Sequence, residues 1–83
     1  MIQLDNKARL RWACRRGMLE LDVLLMPFVE QGYDALTEAD KYIFQRLLTQ
    51  EDPELFAWFM GHETSSDSEL DYMVKLILNR VRV

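Results

Sequence analysis

Apolar residues recur at intervals of three and four along almost the whole chain, and no stretch alternates as a strand would. Only three glycines and two prolines occur in 83 residues, which favours long helices over a turn-rich β fold. A chain of this length holds one domain with a modest core. The sequence therefore predicts an all-α fold, a compact bundle of five helices that forms a single domain over residues 1–83.

Capping residues, glycines and prolines mark the predicted helix boundaries. The first helix is expected to run from a cap at Asp5 or Asn6 to about Arg16, with Gly17 at C′, and the second from about Met18 to Gly32. For the later helices the start signals are capping boxes at Thr37/Asp40 and Ser66/Glu69 and the pair Asp52-Pro53. Pro27 is expected to kink or shorten the second helix.

The periodicity also assigns the buried faces. The second helix is apolar on two sides, with Met18, Leu21, Leu25 and Phe28 on one and Leu19, Val23 and Met26 on the other, so we expect neighbours to cover both. The residues expected to face inward on the last three helices are Ile43, Phe44, Leu47, Leu48, Leu55, Phe56, Phe59, Met60, Leu70, Met73, Val74, Ile77 and Val81. Trp12 is likewise expected to pack in the core. Trp58 falls off its helix's inward face, so it is either available to a partner or folded against the last helix.

The net charge of −4 is unevenly distributed. Residues 1–16 contain five basic residues and one acidic residue, so this segment carries +4 and the remainder −8. Nucleic-acid binding favours a broad basic surface, which the acidic remainder argues against. The basic first helix, Arg9 included, is either a solvated charged face or a patch that docks on an acidic partner surface.

Residues that could perform chemistry are scarce. No dinucleotide-binding, P-loop or zinc-protease motif is present. The only cysteine, Cys14, is expected on the inward face of the first helix, and the only histidine, His62, in a polar linker. We expect a protein that is not an enzyme and has no catalytic residue, no metal site and no cofactor of its own.

The segment Arg15-Arg16-Gly17-Met18-Leu19-Glu20-Leu21-Asp22 crowds opposite charges around a tight connection between two helices. Helix capping and helix dipoles explain each residue alone. Together the residues predict a recognition edge, because glycine leaves room for another backbone and the charged groups can form charge-assisted hydrogen bonds with a partner.

The same segment contains the pattern R-G-x-x-E, as Arg16-Gly17-Met18-Leu19-Glu20. With NKARLRWACRRGMLELD, MPF at 26–28 and DPELFAWFM at 52–60, the chain resembles the small bacterial assembly factors that promote flavinylation of succinate dehydrogenase, the SdhE family. The resemblance covers almost the whole chain and agrees with the five-helix architecture.

The resemblance implies a specific partner and role. Such proteins bind the flavoprotein subunit of succinate dehydrogenase, and often the related fumarate reductase subunit, and promote the covalent bond between a client histidine and FAD. Carried over to this sequence, it implies partner binding by Arg16, Gly17 and Glu20, with Arg15 and Asp22 as flanking support; Arg9 and Trp58 complete the candidate partner-binding residues.

An alternative function is that of an antitoxin or regulatory adaptor that uses the same surface on another protein. The sequence shows no signal peptide and no apolar run long enough to span a membrane. We expect a monomer in the bacterial cytoplasm, without membrane insertion.

Overall fold

Five α-helices and one short 3-10 helix make up most of the protein. The computed structural model describes residues 7–81, with the side chains of residues 8–80. The α-helices are α1 Lys7–Cys14, α2 Leu19–Gln31, α3 Glu38–Leu48, α4 Asp52–Phe59 and α5 Ser68–Val81, and the 3-10 helix Tyr33–Ala35 joins α2 to α3. No strand occurs between residues 7 and 81. The predicted all-α fold of five helices is confirmed.

One connected hydrophobic core holds the helices together. α2 packs against α1, α4 and α5, and α3 packs against α5. The core is built from Leu10, Cys14, Leu21, Leu25, Phe28, Val29, Tyr33, Ile43, Phe44, Leu47, Leu48, Leu55, Phe59, Leu70, Met73, Val74 and Ile77. The buried faces predicted for α3 and α5 are confirmed, except that the side chain of Val81 lies outside the described residues. The radius of gyration, 11.5 Å, is close to the roughly 12 Å expected for a compact chain of this length.

α2 is the central helix, but only one of its two apolar sides is fully covered. Leu21, Leu25 and Phe28 are buried, whereas Leu19 and Val23 are 73% and 56% exposed. The expectation that neighbours cover both sides is wrong for Leu19 and Val23, while Met26 on the same side is half-buried against the core. Pro27 does not end the helix, which continues to Gln31, since the buried residues before and after the proline anchor both turns in the core.

The predicted start of α5 differs in detail from the structure. α5 is capped by Asp67 and not by Ser66, since Asp67 Oδ1 accepts hydrogen bonds from the backbone N–H groups of Glu69 and Leu70 at 2.9 and 3.3 Å. The carboxylate of Glu69 does not return to the cap, because it pairs with Arg46. Aspartate caps a helix as well as serine does, so composition alone does not choose between adjacent candidates.

At α3 the capping box forms in one direction only. Thr37 Oγ1 accepts a hydrogen bond from the backbone N–H of Asp40 at 3.1 Å. The Asp40 carboxylate instead accepts one from the Tyr72 hydroxyl at 3.0 Å, which links α3 to α5. The Asp40 side chain that would have completed the capping box is therefore used in a contact between α3 and α5.

The predicted inward face of α4 is also revised. Phe56 is half-buried and Met60 is 40% exposed. Met60 is the C-cap of α4, one residue beyond the last helical residue Phe59. Within residues 7–81, no helix is both long and apolar enough to cross a membrane.

Candidate partner-binding site

The connection between α1 and α2 turns at Gly17. α1 ends at Cys14, two residues earlier than predicted, and the predicted caps Asp5 and Asn6 lie outside the described residues. Gly17 has φ +83°, and a Cβ placed on it would meet no atom within 4 Å. Glycine is therefore needed here for its left-handed backbone, and the space above it is open. We call residues 15–22 the Gly17 corner.

The guanidinium of Arg16 is hydrogen-bonded inside the molecule. Its Nε donates to Asp52 Oδ1 at 2.7 Å, and its Nη1 donates to the carbonyls of Ala13 and Leu48 at 3.1 and 2.8 Å. Its Nη2 donates to the carbonyl of Gln50 at 2.6 Å. The side chain is only 15% exposed. All three guanidinium nitrogens of Arg16 are thus bonded to the protein itself.

Asp52 has a different role from the one predicted. The sequence predicts it as the N-cap of α4, but the N-cap position is Glu51, and no side chain caps the helix. The Asp52 carboxylate lies in the first turn and forms the ion pair with Arg16. A charged donor from elsewhere in the fold binds a carboxylate more strongly than a backbone N–H group does.

Asp22 completes the internal bonding of the corner. Its Oδ1 accepts a hydrogen bond from the backbone N–H of Arg16 at 2.9 Å, and its side chain is half-buried. Asp22 therefore fixes the backbone just before Gly17, while the Arg16 side chain fixes the same residue to the rest of the fold.

Arg15 and Glu20 point outward from the corner. Both are exposed, and neither side chain has a hydrogen bond or ion pair within residues 7–81. The corner thus presents one positive and one negative group beside the open space over Gly17. These are groups that can bind a partner without first giving up an internal contact.

An apolar strip adjoins the corner. Trp12 is 77% exposed and lines a hollow of about 200 Å³ with Ala8, Arg11, Arg15 and Met26. From Met26 the strip continues along α2 to the exposed Val23 and Leu19, which share one helix face. We call Trp12, Leu19, Val23 and the half-buried Met26 the apolar strip. Its three exposed members, bordered by charges, are typical of a protein-binding surface.

The prediction that Trp12 packs in the core is wrong. It is two positions from Leu10 on one side and two from Cys14 on the other, so it lies about 200° around the helix from both buried residues. That spacing was the signal that could have identified it. Leu19 and Val23 carried no such signal, because periodicity does not say which of two apolar faces will lack a neighbour.

The other candidate residues lie away from the corner or make separate contacts. Arg9 is exposed on α1. Trp58 is half-buried and packs on the core, and part of its surface stays exposed. It lies six residues beyond Asp52, or about 9 Å along α4. The structure thus brings together Arg15, Arg16, Gly17, Glu20 and Asp22, and places Trp58 apart from them.

Arg11, one of the residues that line the hollow, forms an ion pair between α1 and α2. Its guanidinium binds both carboxylate oxygens of Glu30, with Nη2 at 3.0 Å from Oε1. The hydrogen bond and the charge of Glu30 raise the pKa of Arg11. Both side chains are nearly half exposed, so the pair adds little to stability.

The thiol of Cys14 is not available for chemistry. It is fully buried, and burial raises its pKa to about 12. A thiol with such a pKa is protonated near neutral pH and is a poor nucleophile. Between residues 7 and 81, no three His, Cys, Asp or Glu side chains form a group that could hold a metal ion.

The sequence from residue 8 to residue 81 matches the protein family described as flavinator of succinate dehydrogenase. The chain belongs to this family. Two similar proteins are named FAD assembly factor SdhE: the one from Colwellia psychrerythraea is 68% identical over 94% of this chain and 86% of its own, and the one from Idiomarina loihiensis is 61% identical over 96% and 89%. A third with that name, from Shewanella oneidensis, is 61% identical over 95% and 96%.

The flavinator family assignment agrees with the fold. The solution structure of a protein titled UPF0350 protein is similar to this one, with a TM-score of 0.76 and 50% sequence identity over 96% of this chain and 85% of that chain. The R-G-x-x-E pattern, identified in the sequence as typical of the family, coincides with the Gly17 corner.

Proposed function

We propose that this protein is an assembly factor that binds the flavoprotein subunit of succinate dehydrogenase and promotes covalent attachment of FAD to it. The observation that carries the proposal is the family match over residues 8–81 together with the Gly17 corner, where the family pattern forms an open and partly charged surface. The related subunit of fumarate reductase is a second proposed client. We propose that the protein acts as a monomer in the bacterial cytoplasm.

The proposed docking surface consists of the Gly17 corner and the apolar strip. Trp12, exposed over 77% of its surface, supplies the large aromatic that often dominates a protein interface. Arg15 and Glu20 supply charged groups at its edge, which favour a client surface with an acidic and a basic group in matching positions. Gly17 lets client backbone approach where any side chain would intervene.

FAD is proposed to stay with the client throughout. A ligand of that size is usually bound in a cleft that covers most of its surface. Among the described residues, two surface hollows of about 200 and 310 Å³ are open and shallow in this sense. Stoichiometric, tight binding of FAD to the purified protein without client would contradict this part of the proposal.

The proposed mechanism needs only differential binding. Bond formation requires the client histidine and the flavin ring to be held in reacting geometry. A factor that binds the ordered client conformation 100-fold better than the loose one shifts the equilibrium between these two conformations by about 2.7 kcal/mol. One buried aromatic and a few charge-assisted hydrogen bonds supply free energies of this order.

The test is a flavinylation assay with purified apo flavoprotein subunit, FAD and the protein. Covalent flavin is followed by in-gel fluorescence with and without wild-type protein, and with Glu20→Arg. The matched control is Glu63→Arg, an equal charge reversal at an exposed residue between α4 and α5. We expect wild type and Glu63→Arg to accelerate attachment, and Glu20→Arg to lose at least about tenfold of the acceleration.

Two results would count against the proposal. If wild-type protein does not change the rate of attachment, the assembly-factor function fails, and the antitoxin or adaptor hypothesis takes its place. If Glu20→Arg and Glu63→Arg are equally active, the factor works through a surface other than the Gly17 corner.

A further inference from the structure

The two adjacent arginines of the Gly17 corner differ completely in their surroundings. Arg15 is exposed and has no internal partner within residues 7–81. The Arg16 side chain is 15% exposed and donates four hydrogen bonds to the protein. These bonds use four of the five guanidinium N–H groups, so a partner that took over any of the four would leave an internal acceptor without a donor.

The four acceptors of Arg16 belong to different elements. The carbonyl of Ala13 is in the last turn of α1, the carbonyl of Leu48 is at the end of α3, and Gln50 lies between α3 and α4. Asp52 is the first residue of α4. Arg16 therefore joins the end of α1 to the junction of α3 and α4, whereas the main helix contact of α1 is with α2.

This arrangement suits an arginine in particular. Carbonyls in the last turns of helices lack intrahelical donors and carry the negative end of the helix dipole. A planar guanidinium presents five N–H groups in fixed directions and so satisfies several such carbonyls and one carboxylate together. The compact ammonium of lysine has three donors and cannot span the same set.

We propose that Arg16 is a positioning residue: it clasps the Gly17 corner to the α3–α4 junction, so that Gly17 and Glu20 face the client in one arrangement, and it does not itself contact the client. This inference rests on the proposed function for its client, but the clasp itself is a property of the free protein. If the clasp opens, only the fraction of molecules with an ordered corner binds, so the apparent dissociation constant rises in inverse proportion to that fraction.

Substitution of Asp52 distinguishes the two possible roles of Arg16, because the two roles predict different changes in client binding. If Arg16 acts from inside, Asp52→Ala weakens client binding in the same direction as Arg16→Lys, although Asp52 lies on α4. If Arg16 contacts the client, Asp52→Ala frees the guanidinium, and client binding is unchanged or tighter. Glu54→Ala is the matched control. It removes an acidic side chain from the same turn of α4, and this side chain has no hydrogen bond within residues 7–81.

Cys14 reports on the clasp without any client. It is the only cysteine, it is fully buried, and it lies two residues before Arg16. Labelling by a thiol reagent such as dithionitrobenzoate at pH 8 therefore requires the corner to open. We expect Arg16→Lys and Asp52→Ala to accelerate labelling about tenfold or more, and Arg15→Ala and Glu54→Ala to label at the wild-type rate.

A variant destabilised elsewhere separates local opening from global unfolding. Asp67→Ala removes the cap of α5 and a partner of Arg46 and leaves the Gly17 corner intact. We expect it to lower the midpoint of urea unfolding as much as Asp52→Ala does, with a smaller increase in Cys14 labelling. Equal labelling of the two variants at equal global stability would overturn the clasp.

The client assay then completes the test. In a titration with increasing factor, we expect Arg16→Lys and Asp52→Ala each to raise the half-saturating concentration about tenfold and to keep the wild-type plateau rate of flavinylation. The half-saturating concentration of the double variant should be no higher than that of the more affected single variant. A wild-type half-saturating concentration for Asp52→Ala beside a raised one for Arg16→Lys would assign Arg16 to direct contact. A wild-type protein without stimulation would overturn the proposed function, while Cys14 labelling still decides whether the clasp exists.

Discussion

Two glycines with nearly the same backbone conformation end helices in this protein, and they do so in different ways. Gly17 follows α1 with φ +83°, and Gly61 follows α4 with φ +80°. A Cβ on either glycine would meet no atom within 4 Å. The two glycines therefore share a positive φ and open space at the Cβ position, and their corners differ in how they are held.

The Gly61 corner, residues 60–62, is closed by contacts within its own stretch of chain, which are backbone hydrogen bonds and an edge contact between the rings of His62 and Phe56. The N–H of His62 donates to the carbonyl of Ala57 at 2.8 Å, and the N–H of Gly61 donates to that of Trp58 at 3.3 Å. This is the Schellman pattern, which satisfies the last carbonyls of a helix with the residues that follow it. Such a corner needs no contact with any distant part of the chain.

The Gly17 corner depends on side chains and on distant residues. Asp22 binds the backbone N–H of Arg16, and the Arg16 side chain reaches residues 32 to 36 positions away. The apolar strip beside it is left exposed. The comparison teaches that a glycine stop by itself says little about function, whereas a stop that is fixed from a distance and bordered by exposed apolar groups is typical of a surface kept in shape for a partner.

The largest expected difference between the corners is in activity after Gly17→Arg and Gly61→Arg. Both substitutions place a long side chain on a left-handed backbone with open space around it, so their cost in stability should match. We expect Gly17→Arg to lose about 100-fold of the stimulation of flavinylation, because the side chain fills the space over the docking surface, and Gly61→Arg to stay within about threefold of wild type. Equal losses in the two variants would show that strain and not surface blocking is responsible.

The tryptophans beside the two corners should separate binding from stability. The carbonyl of each tryptophan accepts a hydrogen bond from a residue of its corner, Trp12 from the N–H of Arg15 and Trp58 from the N–H of Gly61. The side chains differ, because that of Trp12 is exposed and that of Trp58 packs on the core. We expect Trp12→Ala to change the free energy of unfolding by less than about 0.5 kcal/mol and to weaken client binding about 30-fold. Trp58→Ala should cost about 2–3 kcal/mol, or roughly 10 °C or more in Tm. Thermal melts and titration with the client measure the two effects, and a large loss of Tm in Trp12→Ala would contradict this assignment.

The fold was predictable because its main determinants are local. The apolar repeats of α3 and α5, the glycine after α4 and the threonine cap of α3 all act within a few residues. Each of them is present in the structure where the sequence indicates it. Capping errors, such as Ser66 for Asp67, occurred where two suitable side chains are adjacent.

The site was predictable only in part, because its internal bonding is long-range. The sequence indicates a charged corner, but it does not reveal that Arg16 is bonded to residues near the start of α4, and the Asp52-Pro53 pair points to a local cap instead. Nor does periodicity show which apolar side of α2 lacks a neighbour, so the exposure of Leu19 and Val23 required the structure.

A smaller effect tests whether the two glycines are equivalent in stability. Gly17→Ala and Gly61→Ala should each cost about 1–2 kcal/mol, because a left-handed alanine is strained and neither site gains a contact. Each Tm should fall by about 5–10 °C, and the two decreases should agree within a few degrees. Differential scanning calorimetry measures both. A much larger decrease at Gly17 would show that strain there also breaks the Arg16 contacts, which would make the corner a folding element as well as a surface.

The smallest expected effect is on the pH dependence of stability. It concerns the ion pairs that Arg46 of α3 forms with Asp67 and Glu69 at the start of α5. The hydrogen bond from Arg46 lowers the pKa of Asp67 below its usual value of 3.8. A carboxyl whose pKa is lower in the folded state stabilises the fold above its unfolded pKa, and this contribution is lost as pH falls through the folded pKa. The Tm of wild type should therefore fall more between pH 5 and about pH 2.5 than that of Asp67→Asn, which retains an acceptor for the α5 cap but does not titrate. The difference should be a few degrees at most, since both partners are partly exposed and the pair is screened by solvent. Cys14 labelling at pH 8 should be the same for wild type and Asp67→Asn, because Asp67 binds Arg46 and the start of α5 and not the Gly17 corner. Faster labelling of Asp67→Asn would mean that loss of this ion pair also opens the Gly17 corner.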